Sequence, residues 1–317
     1  MGERQKISAS SAYRKCIPTL INVGLVLLVV ALQFYLFFGA PWLIKRFGSD
    51  LAWTLIPAVL VTPTLWALIH EAIHGLLMPT RVGNETAGRL LAVLFGTSFS
   101  LLQFGHLYHH LINRTGHAQG ELYVPGTWSG YLARLSYYPR LLGGFYVAEL
   151  LTNIVIFLPM RWLRALSDRM VLARGGANIP ALIKLKSHLL QPRRVWLARM
   201  DAAMVVLVLL LAWRLYGEYA WILGVALVFR ALFVSLNDNA YHYGTAIGNN
   251  GEALDVALPA WVRYWLLNGN YHRTHHRSPS VPWFALSDAA EIPPTKRGIG
   301  FMFEQLRGPI PVKPNHQ

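Results

Sequence analysis

Two stretches of the chain, residues 17–39 and 51–69, contain no charged side chain. Each is about the ~20 apolar residues that cross a hydrocarbon core as a helix. In lipid every backbone polar group must pair within the protein, so such runs restrict the chain to spanning helices. Residues 200–216 and 219–236 are also strongly apolar and predict a helical hairpin with a very short turn. Arg230 falls inside the second of these helices, where a charge must face protein or a polar cavity. A structural ion pair is the expectation for it. Composition agrees: the chain is 54% hydrophobic and 14% charged, against about 25% charged in soluble domains. Mean hydropathy is +0.35. The fold class that follows is an all-α integral membrane protein, with four spanning helices in two hairpins plus interfacial helices. The first run is too long for the apolar region of a signal peptide, about 7–15 residues.

The net charge is +14, and the basic residues cluster at 1–15 and 161–199, beside the apolar runs. That placement points to cytoplasmic segments near anionic headgroups and away from nucleic acid. Residues 40–50 read as a short outer loop, and 89–104 as a helix along the inner surface. The stretch 141–159 is apolar but carries Glu149 and Asn153. If it crossed once, the basic segment 161–199 would lie outside; it is therefore expected to enter and leave on one face, or to lie in the interface. Residues 1–317 read as one domain. Its core covers about 17–285, with a cytoplasmic N-terminal segment 1–15 and a proline-bearing cytoplasmic tail 286–317. The single cysteine, Cys16, excludes an internal disulfide and a multi-cysteine metal site.

Nine of the twelve histidines lie in or near three clusters. The first is His70-Glu71-Ala72-Ile73-His74, where the second apolar run ends. The second is His106-Leu107-Tyr108-His109-His110. The third is Asn270-Tyr271-His272-Arg273-Thr274-His275-His276, followed by Pro282-Trp283; His242 lies between the second and third. Spacings of three and four residues put side chains on one helical face. Neutral imidazole is the commonest protein metal ligand. Nine imidazoles exceed what one ion binds, so two ions with four or five ligands each are expected. All-nitrogen ligation suits iron, zinc, copper or nickel, and spacing does not choose among them.

The pattern H-x3-H, H-x2-H-H and N-x-H-x2-H-H with a following P-W resembles the membrane fatty acid desaturase superfamily. That group includes acyl desaturases, hydroxylases and carotenoid ketolases. The resemblance covers roughly residues 50–285. It implies two iron ions, with O2 as co-substrate, attacking an unactivated C–H bond of a lipid chain. It implies a lipid or acyl substrate and an electron donor of ferredoxin, rubredoxin or cytochrome b5 type. By matching position it implies the ligands His70, His74, His106, His109, His110, His242, His272, His275 and His276, in a cap on the cytoplasmic side. Some members place an Asn one turn before the additional histidine, reaching the metal through water. Here that position is Asp238, flanked by Asn237 and Asn239, so a carboxylate takes the place of an amide. Glu71 is expected to support the ligands beside it. Fatty acyl desaturation is the first expectation, and hydroxylation or ketolation of a lipid or carotenoid the second.

Other readings compete. Residues 70–74 are also a literal H-E-x-x-H, which on a helix supplies two zinc ligands and a general base for peptide hydrolysis. A membrane zinc protease needs one further ligand and leaves six clustered histidines unexplained. A metal carrier would place its ligands near the bilayer midplane, whereas these lie at helix ends. His117, His188 and His316 fall outside the pattern and read as surface or tail residues.

Overall fold

The computed structural model describes residues 16–115, 120–173 and 179–312. The basic segment 1–15, His117, Arg174 and His316 lie outside the described residues. The fold is mostly helical with very little sheet.

Helix α1 (Thr19–Phe34) runs through a π turn, Tyr35–Gly39, into α2 (Ala40–Phe47). The expected outer loop at 40–50 is thus mostly helix. Pro41 lacks an N–H, but it sits in the first turn of α2, where none is needed. Gly48, at φ 103°, stops the helix. A 3-10 segment, Ser49–Leu55, leads into α3 (Ile56–Leu60) and α4 (Thr62–His74). Then follow α5 (Arg81–Phe95) and α6 (Phe99–Ile112). Residues 89–104 were expected as one helix, yet α5 and α6 meet at 96°. The cause is Gly96, whose φ of 114° closes α5. A Cβ there would also meet the Tyr146 hydroxyl at 2.9 Å.

Helices α7 (Trp128–Pro139) and α8 (Phe145–Val155) flank a kinked π turn at Arg140–Gly144. Gly143 has φ 122°, and an added Cβ would stand 3.3 Å from Ala231 Cβ, so the turn lies close against the apolar helix it crosses. At 1.5 Å per residue α8 is about 16 Å long, well short of a bilayer core. Next come α9 (Met160–Ala173), α10 (Pro180–Leu189), α11 (Pro192–Tyr216) and α12 (Ala220–Ala240). The last two pack together across a 3-10 turn at Gly217–Tyr219.

Among the described residues, three helical stretches are long and apolar enough to cross a membrane: Thr19–Phe47, Ser49–His74 and Pro192–Ala240. The bent pair α5–α6 makes a fourth if it counts as one span. Leu27, Leu28, Leu210, Leu211, Val228 and Phe229 are exposed on these helices, as lipid-facing residues are. Inside, Val29, Leu65, Leu68, Ile69, Leu91 and Phe95 form one core cluster. Leu36, Phe37, Ile44, Val208 and Tyr216 belong to a second.

Arg230 is 1% exposed, but its partner is not a carboxylate as an ion pair would require. It donates to the carbonyls of Leu94 (2.9 Å) and Phe95 (3.3 Å) and to Gln33 Oε1. The cation thus meets the negative C-terminal end of α5 and pins it to α1.

Residues 286–312, expected as part of a tail, fold back onto the rest of the chain. Strand β1 (Leu122–Tyr123) pairs in parallel with β4 (Ile310–Pro311), and β2 (Val256–Ala257) with β3 (Lys296–Arg297). Gln305 is fully buried and donates to Leu236 O at 3.0 Å, fixing the segment to α12. Phe301, in α15 (Phe301–Glu304), buries its ring beside Tyr241. Between lie α13 (Ala260–Trp265) and α14 (His272–Arg277).

Candidate metal centre

The four segments that carry the clustered histidines converge at one end of the helices. His70 and His74 stand one turn apart on α4, and His106, His109 and His110 on the last turns of α6. His242 follows the end of α12, its N–H bonded to Asn239 O at 3.1 Å. His272, His275 and His276 lie on the short α14.

These nine side chains form two groups. His70, His74, His106, His110 and His275 make one; His109, His242, His272 and His276 make the other. Within each group the candidate ligand atoms all lie within 4.8 Å of one another. The division follows helical geometry. On α6 the i, i+4 pair His106 and His110 serves the first group, while His109 turns to the second. On α14 the i, i+4 pair His272 and His276 serves the second, and His275 turns to the first. Each of these helices thus feeds both groups.

In the second group the Nε2 atoms close a ring. His109–His242 is 3.1 Å, His242–His272 3.0 Å, His272–His276 3.2 Å and His276–His109 3.3 Å. In the first group His74–His106 and His106–His110 are 2.9 Å, and His110–His275 is 3.0 Å. A neutral imidazole carries one N–H, so four Nε2 atoms facing each other in a ring have too few protons and too many lone pairs to bond pairwise all round. A cation removes the conflict. Nitrogens about 2.0–2.1 Å from one ion stand roughly 2.9–3.4 Å apart in square or tetrahedral geometry. The observed spacings fall in that range. His70 Nε2 is buried with no hydrogen-bond partner, as a donor atom awaiting an ion would be. Burial first, and neighbouring imidazoles second, hold His242, His272, His275 and His276 well below the usual histidine pKa. They are therefore neutral at pH 7, the form that binds metal.

A scaffold outside the clusters positions them. The Asp255 carboxylate accepts the Thr274 N–H at 3.1 Å and its hydroxyl at 2.7 Å, capping α14 from outside. Asn270 Nδ2 donates to Val256 O at 2.7 Å, and Val256 N–H to Asn270 O at 2.9 Å. Asn113, just past α6, donates to Asn250 O and Glu252 O at 2.9 Å. Arg114, at φ 55°, donates to Ala246 O, Thr245 O and the Glu121 carboxylate. The histidine pattern does not mark Asp255, Asn113, Arg114 or Glu121; only Asn270 stood inside a recognised motif.

Glu71 is 2% exposed. One oxygen accepts the Trp283 N–H at 3.2 Å, and the other stands 4.0 Å from His70 Nδ1. Trp283 in turn donates from Nε1 to Asn22 Oδ1 at 3.0 Å. Glu71 thus ties the first cluster to the Pro282-Trp283 pair. A protease base would need this carboxylate free to reach water on the metal, and here it is engaged by the Trp283 backbone. Glu71→Gln, which keeps an acceptor for Trp283, is expected to retain metal and part of the turnover; Glu71→Ala is expected to lose more of both. Metal analysis and turnover of the two variants check this. Equal behaviour would remove the Trp283 contact from the explanation.

Asp238 joins neither group. It lines a cavity of about 530 Å³ that also touches His106 of the first group and His109 and His242 of the second. Arg140, Glu149, Asn237 and Asn239 line the same end, while Trp66, Phe95, Leu102, Phe145 and Phe233 supply apolar walls. His188 lies apart from both groups and is half-buried on α10.

Residues 49–297 match the family model described as fatty acid desaturase. No curated protein and no solved structure matches the chain.

Proposed function

Since the chain belongs to the fatty acid desaturase family, we propose that it oxidises an unactivated C–H bond of a lipid chain, using two iron ions and O2, with fatty acyl desaturation as the outcome. The family implies an oxidoreductase acting on lipid. One observation carries the reading: both imidazole groups open on the same apolar-walled cavity, through His106 on one side and His109 and His242 on the other. Iron bound there would supply the activation of O2 that breaking such a bond requires.

The chain's own residues do the rest. The nine histidines would hold the ions, five nitrogens to one and four to the other. Trp66, Phe95, Leu102, Phe145 and Phe233 orient the lipid chain and exclude water from the reacting carbon. Glu71, through Trp283 and His70, keeps the first cluster in place. The basic residues at 161–199 support a cytoplasmic face for the site, where a donor of ferredoxin, rubredoxin or cytochrome b5 type would deliver electrons.

Hydroxylation or ketolation is the second reading. The polar side chains at one end of the cavity favour it, since they provide partners for an oxygenated product. Lipid analysis of cells with and without the gene tests both. A new double bond supports the first reading and a new hydroxyl or ketone the second; neither would overturn the assignment.

Asp238 is proposed to act at the cavity wall, one turn before His242. Asp238→Asn is expected to retain both metals, because the histidines remain, while turnover falls roughly tenfold, as on losing an outer partner of a metal site. Asp238→Ala should fall further, having no oxygen left to hold water or substrate. Wild-type turnover and metal content in Asp238→Ala would leave Asp238 with no chemical role.

A further inference from the structure

At one end of the 530 Å³ cavity Asn237 and Asp238 near the end of α12, Glu149 on α8 and Arg140 in the kinked turn come together; Arg114 and Glu121 also line the cavity but are paired with each other. Asp238 is exposed to this cavity while protein encloses it. Arg140 gives one guanidinium N–H to Asn239 Oδ1 at 3.1 Å, but its Nε is buried with no partner. A saturated lipid chain offers this end nothing to bond, and an orphaned buried donor is costly.

The charges narrow the choice. Arg140 offsets Asp238. Glu149 is pushed up to about 7, by burial first and by the Asp238 carboxylate second, so near neutral pH a large fraction of it is uncharged. An acid or phosphate head would face two carboxyl groups, and an ammonium would face Arg140. A hydroxyl suits both: it donates to a carboxylate and accepts from Arg140 Nε. Asp238 precedes His242 by four residues, so a group bound to it sits within about a helical turn of the second imidazole group.

We infer that this cavity takes a lipid bearing a hydroxyl group, held among Asp238, Glu149 and Arg140, with its apolar chain along Trp66, Phe95, Phe145 and Phe233. The inference rests on the reading of this cavity as the substrate site, and it narrows the proposed substrate from lipid chains in general to those of lipids that carry a hydroxyl group.

The test is equilibrium binding of tritiated 1-octadecanol, methyl octadecanoate and octadecanoate to the full-length, metal-loaded protein in lipid nanodiscs, each corrected for uptake by empty nanodiscs. The alcohol is expected to bind roughly tenfold tighter than the ester or the acid, the scale of one hydrogen bond to a charged group. Glu149→Gln, which keeps an acceptor, should retain most of that preference. The pair Asp238→Leu and Glu149→Leu should bring the alcohol down to the level of the ester. Ester or acid binding as tightly as alcohol in the wild type, or a preference that survives the double substitution, would overturn the inference. Product analysis on the same preparations judges the reaction separately. Oxidised lipid without an alcohol preference removes only this inference, and an alcohol preference without oxidised lipid removes only the proposed reaction.

Discussion

His242→Ala is expected to leave about one metal ion per chain and to lower turnover by more than a hundredfold. The second group holds only four imidazoles, joined edge to edge at 3.0–3.3 Å, and His242 supplies two of the four edges. Without it three nitrogens remain, the number found in open sites that complete their shell with water. The loss should exceed the ~10–100-fold typical of removing an outer partner, because a ligand itself is gone. His110→Ala is the control that makes this sharp. The first group has five imidazoles, so four survive the change and metal retention should be markedly better. Metal analysis of both variants decides. If His242→Ala keeps two ions, His242 is not a ligand that the second ion needs. If His110→Ala loses metal as fully as His242→Ala, the unequal ligand count has no consequence.

The histidine spacing already named eight of the nine side chains the fold brings together, because i, i+3 and i, i+4 placement is a local property of a helix; His242 has no histidine at such a spacing and was named only by the family resemblance. Spacing could not say how they divide. That depends on how the four histidine-bearing segments come together, with His109 joining one group and His275 the other. The apolar runs likewise marked the long helices, since length and composition set them. They did not mark the break at Gly96 or the folding back of residues 286–312. Both are tertiary effects: a glycine that could simply have continued a helix, and a buried Gln305 whose partners lie on α12. Arg230 reads in the sequence as a charge in need of a counter-charge, and the fold answers with carbonyls at a helix end. Asp255 is the plainest omission. Its bond to Thr274 spans residues that share no periodicity, and an aspartate outside a histidine cluster carries no mark of its role.

Glu121→Ala should be among the most destabilising single changes outside the clusters. Glu121 and Arg114 are each 2% exposed and form an ion pair. Removing one partner of a buried pair leaves the other charge uncompensated, at a cost of about 3–5 kcal/mol. The remaining partners of Arg114 soften this only in part, since the carbonyls of Thr245 and Ala246 are neutral. The damage should also be directional. Thr245 donates its N–H to His242 O at 3.2 Å, and Gly248 donates to Arg114 O at 2.8 Å, so Arg114 clamps the turn that carries His242. When the clamp loosens, the second imidazole group should lose its ion before the first. Thermal unfolding with metal analysis reads both effects: a fall of roughly 5–15 °C in melting temperature, with metal content dropping first from two ions toward one. Glu121→Gln, which keeps an acceptor but not the charge, should fall between this variant and the wild type. Replacing both residues together, Arg114→Met with Glu121→Leu, should cost less stability than Glu121→Ala alone, because no lone charge is left buried. Should Glu121→Ala melt with the wild type and hold two ions, the Arg114 clamp has no part in shaping the site.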